Sequence, residues 1–298
     1  MTALDTPSPI SRGGSKLGQG RGQSVFMERL VRNDGPTLEI VVARPNAPAR
    51  GAPVLFVHGA FAGAWCWNET YLPAFAEDGR YAAAVSLRGH GNSEGHETVW
   101  SAGLADFVAD LRLAIEAMPA PPILVAHSIG GLLAQLLLGQ TVMRGLVLMG
   151  SLPPEGLALV GPWLAWSALG IGWSTILATA AESGQVRMPS CPDLIFGQGI
   201  EPANAQSYAA LLGAGSLLTI AEAHVPRFVI PAFAVEAPVL VLNGSDDWLV
   251  DPLTALRTAL YHGAEYRLVP QAGHFPMLGP AAVTGSNAVL EWLERRGL

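Results

Sequence analysis

Ser128 stands where an apolar run gives way to a helical pattern, a place where a serine can act as a nucleophile. The segment 123–132 reads ILVAHSIGGL, which contains the pattern small-x-Ser-x-small with Ala126 and Gly130 as the small residues. A turn this tight strains the backbone at the serine, and bulky side chains two positions away would collide. It lifts the hydroxyl to a helix N-terminus, where backbone amides stabilise a developing anion. The pattern predicts acyl transfer on Ser128; the simpler alternative is a Ser-Gly turn that only begins a helix.

This segment resembles the nucleophile loop of the α/β-hydrolase superfamily, and other parts of the chain are similar to that superfamily as well. The letters HGAF begin at His58, directly after the apolar run Pro53–Val57. In the superfamily, the residue after this glycine donates one amide to the oxyanion. The resemblance therefore implies Ala60 N–H as one oxyanion donor and Ile129 N–H as the other. It also implies that His58 orders this turn and is not the base.

The resemblance continues in the stretch LRGHGNS at residues 87–93, which matches the superfamily's R-G-x-G-x-S loop. The aspartate that usually precedes this loop is replaced by Ser86. Because the glycines let the chain turn sharply below the site, the resemblance implies scaffold roles for Arg88 and His90.

An acid and a base would complete the implied triad, in the chain order serine, acid, histidine. The apolar run Val239–Leu242 is followed by NGSDDWLV, and the superfamily's G-x-x-D pattern selects Asp247 as the acid. Asp246 is the rival, with a turn or cap role as its alternative. The later stretch AGHFP is similar to the superfamily's histidine loop, which implies His274 as the base. Such a triad forms an acyl-enzyme on Ser128 and hydrolyses it with water.

Several details disfavour related chemistries. Dehalogenases and epoxide hydrolases of this superfamily use an aspartate nucleophile, whereas Ser128 is a serine. The stretch FAGAWCW is similar to the plant methylesterase and hydroxynitrile lyase branch, but the lyases use a lysine after the acid, and Lys16 is the only lysine here. That branch usually lacks an RGHG loop, so the branch stays open. We find no metal-ligand spacing and no phosphate-binding glycine loop, so no metal or other cofactor is expected.

Short apolar runs alternate with helical patterns, and several runs are continuously apolar, as in strands covered on both faces. The predicted strands are Leu38–Ala43, Pro53–Val57, Ala82–Leu87, Ile123–Ala126, Gly145–Met149, Val239–Leu242 and Tyr266–Val269. The predicted helices are Ile129–Leu138, Pro252–Tyr261, Ala281–Arg295 and Ser101–Met118, the last with Ser101 as its cap. This alternation predicts an α/β fold, the α/β-hydrolase fold of the resemblance, with a mostly parallel central sheet covered by helices on both faces.

The alternation stops between Ser151 and Glu236, a stretch rich in glycine, proline, tryptophan and leucine. An insertion of this length is usually functional. We therefore predict a flexible N-terminal tail at 1–22, a hydrolase core at 23–150 and 237–298, and a helical cap or lid at 151–236. The tail has no apolar core of the kind that secretory signals carry.

Composition limits the class of protein and of partner. The chain has 298 residues, of which 50% are hydrophobic and 14% charged, and this excludes intrinsic disorder. The net charge is −7 with no basic run, so nucleic acid is not an expected partner. Two cysteines, Cys66 and Cys191, cannot build a disulfide framework; reduced thiols and a cytoplasmic location are expected, with a single disulfide between them as the alternative.

The uncharged stretch Leu157–Ala181 is long enough to span a bilayer, although glycines and a proline interrupt it. A span there would place Ser128 and the other triad residues on opposite sides of the membrane. The stretch is therefore assigned to the cap, where it packs on the core or lines a pocket; a cap that lies on a membrane surface is the minor alternative. The candidate substrate-binding residues are Phe61, Leu152, Trp163, Trp166, Leu249 and Phe275.

The predicted function is hydrolysis of a carboxylic ester, a small apolar substrate with an apolar acyl or alcohol part. The same triad would serve a C–C bond hydrolase, a lactonase, an amidase or a cofactor-free perhydrolase, and the fold does not separate these reactions. A small-molecule receptor that keeps the triad is a second class of function. A membrane-associated protein anchored through residues 157–181 is a third.

Overall fold

The computed structural model describes residues 10–20, 23–31, 35–158, 186–187, 195–197 and 199–298. The strands of its main sheet are β1 Ile10–Gly20, β2 Gln23–Leu30, β3 Leu38–Arg44, β4 Val54–Val57, β5 Ala82–Ser86, β6 Ile123–His127, β7 Gly145–Met149, β10 Val239–Gly244 and β11 Glu265–Val269. Two short strands pair with each other outside this sheet, β8 Val186–Arg187 and β9 Ala214–Gly215.

The helices cover the sheet and also fill part of the connection between β7 and β10. Their bounds are α1 Tyr71–Glu77, α2 Leu104–Glu116, α3 Ile129–Leu136, α4 Pro202–Leu211, α5 Leu217–Ala223, α6 Pro252–His262 and α7 Ala281–Arg296. Helices α4 and α5 belong to the connection that we predict to be a cap. In the part of the chain that the structure describes, no helix has the length and apolar character needed to cross a membrane.

The strand order of the main sheet is β1-β2-β3-β5-β4-β6-β7-β10-β11. The strands from β5 to β11 in this order run parallel, whereas β1, β2 and β3 join antiparallel. Strand β5 lies on one side of β4 and strand β6 lies on the other, so the strand order reverses at β4. Ligands of open α/β sheets bind at the carboxyl ends of strands beside such a reversal. Ala60 follows β4 and Ser128 follows β6, so both residues lie at that place.

Side chains of the central strands alternate between two hydrophobic clusters, one on each face of the sheet. Leu55 and Val57 of β4 belong to the cluster that includes α2 and α3. Val54 and Phe56 belong to the cluster that includes α1 and α7. Both faces are therefore covered, which confirms the predicted fold class and explains why the central strands are continuously apolar in sequence.

Within the segment predicted to be a flexible tail, Ile10–Gly20 form β1. This segment pairs antiparallel with β2 at the edge of the sheet. Its sequence, ISRGGSKLGQG, lacks the apolar alternation of a half-buried strand, so periodicity gives no signal for it.

Helix α2 begins at Leu104, and the predicted cap at Ser101 is wrong. Gly103 is the N-cap residue, and the Asp106 carboxylate accepts its N–H at 3.0 Å. The carboxylate of Glu222, from α5, accepts the N–H of Leu104 at 2.6 Å. Two acids thus stabilise the positive end of the helix dipole, and one of them comes from a distant segment that a local cap pattern cannot reveal.

Candidate active site

Ser128 occupies a strained turn between β6 and α3. Its φ of 54° and ψ of −121° fall in a region that residues other than glycine rarely adopt. A Cβ atom at Gly130 would lie 2.4 Å from the carbonyl oxygen of His58, and one at Gly59 would lie 2.7 Å from Ser128 Cβ. Glycine is therefore required at both positions, and the close packing presents the serine hydroxyl at the N-terminus of α3.

Ser128, His274 and Asp247 form a continuous chain of hydrogen bonds. Ser128 Oγ lies 2.9 Å from His274 Nε2, and His274 Nδ1 lies 3.1 and 3.0 Å from the two carboxylate oxygens of Asp247. The His274 and Asp247 side chains are 4% and 0% exposed, so solvent screens this pair little. Because Nδ1 donates its proton to the carboxylate, Nε2 is left to accept the proton of the serine hydroxyl.

The backbone that follows Asp247 fixes its carboxylate. Oδ1 accepts the N–H groups of Leu249 and Val250, each at 2.9 Å. The neighbouring Asp246 carboxylate has a different partner, since Ser245 Oγ donates to it at 2.8 Å. The structure therefore places Asp247, rather than Asp246, against the histidine.

The backbone of His274 is held from two directions. Its N–H donates to the carbonyl of Ile195 at 2.8 Å, and its carbonyl accepts His127 Nε2–H at 2.7 Å. Burial is the main cause that lowers the pKa of His127 well below its ordinary value, so this imidazole is neutral. Sequence reasoning missed His127, for which adjacency to Ser128 is the one available signal.

Ala60 and Ile129 line the same pocket as Ser128. Ile129 is the first residue of α3, so its N–H has no partner within the helix. Ala60 lies in the turn after β4, next to Phe61, whose φ is 67°. The carbonyl of Phe61 accepts the N–H of Gly213 at 2.7 Å, which ties this turn to the β7–β10 connection. Two backbone amides beside a nucleophile can stabilise an oxyanion.

An apolar pocket, partly open to solvent, lies over the serine. Four of the predicted substrate-binding residues line it, namely Phe61, Leu152, Leu249 and Phe275. The other two, Trp163 and Trp166, lie outside the described residues. The pocket also has walls that sequence reasoning did not assign to it: His127, Leu157 and Ile220.

His58 and Arg88 have their polar groups bonded within the scaffold. His58 Nδ1–H donates to the Gly59 carbonyl at 2.7 Å, and Nε2 accepts the Leu87 N–H at 2.9 Å. Arg88 forms a bidentate ion pair with the Asp110 carboxylate, with N–O distances of 2.9 and 2.8 Å. These contacts fit the scaffold roles implied for both residues. Within the described ranges, no group of three His, Cys, Asp or Glu side chains is placed to hold a metal ion.

Two buried histidines are kept neutral by their surroundings. Burial, as the largest cause, lowers the pKa of His58 to about 3 and the pKa of His262 to about 4. Each also accepts a backbone N–H at an unprotonated ring nitrogen; for His262 this is Nδ1, which accepts from Ala232 at 3.1 Å. Protonating either ring would remove that acceptor and charge a buried group.

These histidines predict that the free energy of unfolding falls as the pH falls. Their folded pKa lies below the unfolded value of about 6.5, so their contribution is complete above that pH and is lost as the pH drops towards the folded pKa. The loss is up to about 1.4 kcal/mol per pH unit for each histidine. Urea unfolding across this range should give a shallower pH dependence for His262→Gln, because glutamine still accepts the Ala232 N–H but does not titrate. Equal slopes for both proteins would contradict the prediction.

Comparison with known proteins adds an independent line of support for the fold. A model of the alpha/beta hydrolase family matches residues 54–285. No curated protein matches the chain. An esterase from Exiguobacterium antarcticum superposes with a TM-score of 0.69 at 18% identity, over 88% of this chain and 97% of that one.

Two further solved structures have other named activities. The enol-lactonase from Burkholderia xenovorans LB400 has a TM-score of 0.64 at 15% identity, over 88% of this chain and 98% of its own. A bromoperoxidase from Bacillus anthracis has a TM-score of 0.64 at 18% identity, over 91% and 100%. Similarities this remote show the fold and not the reaction. The family match runs from β4 into α7 and so includes every element that positions the site. The chain therefore belongs to the alpha/beta hydrolase family.

Proposed function

We propose that the protein is a serine hydrolase that cleaves a carboxylic ester with an apolar acyl or alcohol part. The observation that carries the proposal is the buried chain of hydrogen bonds from Ser128 through His274 to Asp247, which opens onto an apolar pocket. A nucleophile, a base within hydrogen-bond reach and a group that orients the base are together the requirements for covalent acyl transfer.

The proposed reaction begins when His274 Nε2 takes the proton from Ser128 Oγ as the oxygen attacks the ester carbonyl carbon. The N–H groups of Ala60 and Ile129 bind the oxyanion, and Asp247 stabilises the imidazolium. The carbon–oxygen bond to the alcohol then breaks, and His274 gives its proton to the leaving oxygen. A water molecule, deprotonated by the same nitrogen, hydrolyses the acyl-enzyme and releases the acid.

The pocket supports an apolar substrate. Phe61, Leu152, Leu249 and Phe275 surround the reacting atoms, and they provide few groups that could bind a charged substrate. Burying apolar surface against these residues contributes about 25 cal/mol per Å². The polar contacts to the substrate come from the backbone amides that bind its carbonyl oxygen.

A panel of p-nitrophenyl esters with graded acyl length tests the proposal. We expect hydrolysis of at least one ester that depends on Ser128, with no loss on addition of a chelator. If no ester in the panel is hydrolysed, a C–C bond hydrolase or a receptor becomes the better account.

Gly150 offers a test of how closely the acid and base are packed. Its φ is 49°, and a Cβ there would lie 3.2 Å from the carbonyl oxygen of His274 and 3.3 Å from Asp247 Oδ2. We expect Gly150→Ala to lower kcat by about 10- to 100-fold, since small displacements of catalytic groups have effects of this size. Steady-state kinetics on the best ester of the panel measures it.

Gly139→Ala is the matched control for this substitution. Gly139 also has a positive φ, 74°, and its Cβ would meet the flexible ends of two side chains, Ile230 and Val235, away from the triad. Both variants should lose stability, by about 1–2 kcal/mol from the backbone strain, but Gly139→Ala should keep the wild-type kcat. A wild-type kcat in Gly150→Ala would show that the pair is not packed as described.

The cellular location is a prediction that rests on the two cysteines. Cys66 is a free, buried thiol, and burial raises its pKa above the ordinary value. Cys191 lies outside the described residues. A reduced protein in the cytoplasm is the location that we propose from cysteine usage.

A further inference from the structure

Phe61 has a strained backbone conformation in the turn that carries Ala60. Its φ of 67° lies in the left-handed region, which residues other than glycine rarely adopt. Such a conformation persists only where the surrounding structure imposes it. Phe61 directly follows Ala60, whose N–H is a proposed oxyanion donor. The contacts that hold Phe61 therefore also bear on where that N–H points.

Two contacts to Phe61 come from a single stretch of the β7–β10 connection. We call this stretch, residues 213–223, the α5 segment, since it includes β9 and ends with α5. The Gly213 N–H donates to the Phe61 carbonyl at 2.7 Å. The Phe61 ring lies so close to the backbone of Gly215 that a Cβ there would be 2.5 Å from Phe61 Cε1 and 2.9 Å from Cδ1. Ile220 of the same segment packs with Phe61 in a small hydrophobic cluster.

The α5 segment is itself attached to the hydrolase core beside the N-terminus of α2. Thr219 Oγ1 donates to the Ala102 carbonyl at 2.7 Å, and the Ser216 hydroxyl donates to the same carbonyl. The Glu222 carboxylate accepts the Leu104 N–H at 2.6 Å. None of these three bonds involves the oxyanion turn, so the core fixes the α5 segment independently of Phe61, and the segment can then hold the turn in place.

A displaced oxyanion donor has a different effect from a damaged binding pocket. Apolar side chains bind the apolar parts of an ester whether or not the donor is aligned. Negative charge develops on the carbonyl oxygen only as the transition state forms, so an aligned amide is needed most at that point. Misplacing the amide should consequently lower kcat and leave KM nearly unchanged.

We propose that Phe61 is a positioning residue through which the α5 segment sets the geometry of the oxyanion turn. The ring seated on Gly215 and the carbonyl bonded to Gly213 keep the φ of Phe61 positive, and this conformation orients the Ala60 N–H towards the substrate's carbonyl oxygen. The inference rests on the proposed function, because it concerns the oxyanion of the same reaction. It gives Gly215 a role in the rate of that reaction, although Gly215 does not line the pocket over the serine.

Gly215→Ala tests the proposal, because its methyl group has to displace the Phe61 ring. We expect kcat on the best ester of the panel to fall by about tenfold, a part of the 10²- to 10³-fold cost of losing a whole oxyanion donor. KM should change little. A trifluoromethyl ketone that matches the acyl chain forms a tetrahedral oxyanion on Ser128, and its Ki should rise by the factor by which kcat/KM falls.

Gly213→Ala is the matched control in the same segment. Neither Gly213 nor Gly215 has a positive φ, so alanine is compatible with the backbone at both positions. A Cβ at Gly213 would lie 3.8 Å from the Phe61 carbonyl oxygen, an ordinary contact distance, and the N–H that donates to this oxygen is retained. Gly213→Ala should keep the wild-type kcat and the wild-type Ki of the ketone.

Two further variants separate positioning from a general loss of structure. Adding Phe61→Leu to Gly215→Ala should restore part of the lost kcat, because leucine lacks the ring edge that the new methyl group meets. Glu222→Ala removes the bond to the Leu104 N–H without touching the pocket or the turn. It should lower kcat in the same direction but by less, and it takes the place of Gly215→Ala if that variant does not fold.

The outcomes distinguish this inference from the proposed function. If the wild-type protein hydrolyses an ester but folded Gly215→Ala keeps the wild-type kcat, or if its loss appears in KM alone, the positioning role is overturned and the serine hydrolase stands. An equal loss in Gly213→Ala would also overturn it. If no ester is hydrolysed and an active-site phosphonate does not label Ser128, the proposed function fails and this inference fails with it.

Discussion

Replacing Ser128 by alanine is expected to lower kcat for ester hydrolysis by roughly 10⁶-fold, and replacing His274 by alanine should have an effect of similar size. Each residue acts through the other across the 2.9 Å contact between Ser128 Oγ and His274 Nε2. When such a pair acts as a unit, the loss of either member removes nearly the whole contribution of both. The double variant should therefore be only slightly slower than either single variant.

Folding is not expected to account for this loss. Alanine keeps the Cβ atom of Ser128, so the strained turn and the packing against Gly59 are unchanged. Thermal unfolding should place Ser128→Ala close to wild type. Ser286→Ala is the matched control, because Ser286 is also buried but lies in α7, where its hydroxyl donates to the Val283 carbonyl at 3.0 Å. A Ser128→Ala enzyme within tenfold of wild type would rule out the nucleophile assignment.

Asp247→Asn should lower kcat by about 10⁴-fold, the effect expected when the histidine is held in the wrong tautomer. Oδ1 of Asp247 accepts the N–H groups of Leu249 and Val250, so an asparagine keeps its oxygen there and turns its NH₂ group towards His274 Nδ1. Nδ1 must then act as an acceptor, which leaves the proton on Nε2. An Nε2 that carries a proton cannot take one from Ser128.

Asp246→Asn is the control, since it makes the same chemical change one residue away. Asp246 interacts with the Ser245 hydroxyl, and its backbone N–H donates to the Ala272 carbonyl at 2.9 Å, which the substitution leaves intact. Its effect on kcat should be less than about tenfold. If Asp246→Asn were the more damaging change, the assignment of the acid would be wrong.

The three side chains of the proposed triad could be selected from sequence because each lies in a short loop after a strand. Ser128, Asp247 and His274 follow β6, β10 and β11, and the parallel sheet brings the ends of those strands together. The short sequence motif around each loop is enough to select the triad residue in it. Ala60 and Ile129, which the family resemblance implies as oxyanion donors, line the pocket beside the serine.

The walls of the pocket and the supports of the loops could not be predicted in the same way. Ile220 reaches the pocket from α5, whose position depends on contacts with α2 that no local pattern contains. Ser86 replaces the usual aspartate before the RGHG loop, and a carboxylate is instead supplied by Glu39 of β3, which accepts the Ser86 hydroxyl at 2.7 Å. Glu39 also accepts the Asn92 backbone N–H at 3.0 Å. A residue 47 positions away from Ser86 thus orders the loop, and only pairing of β3 with β5 makes that contact.

Covalent labelling with a fluorophosphonate that reacts with activated serines, followed by intact-mass measurement and peptide mapping, tests directly whether Ser128 is the nucleophile. We expect one adduct per chain, located on Ser128, absent in Ser128→Ala and formed far more slowly in His274→Ala. An adduct on another residue, or no adduct on the folded protein, would contradict the claim that Ser128 is the nucleophile of a serine hydrolase.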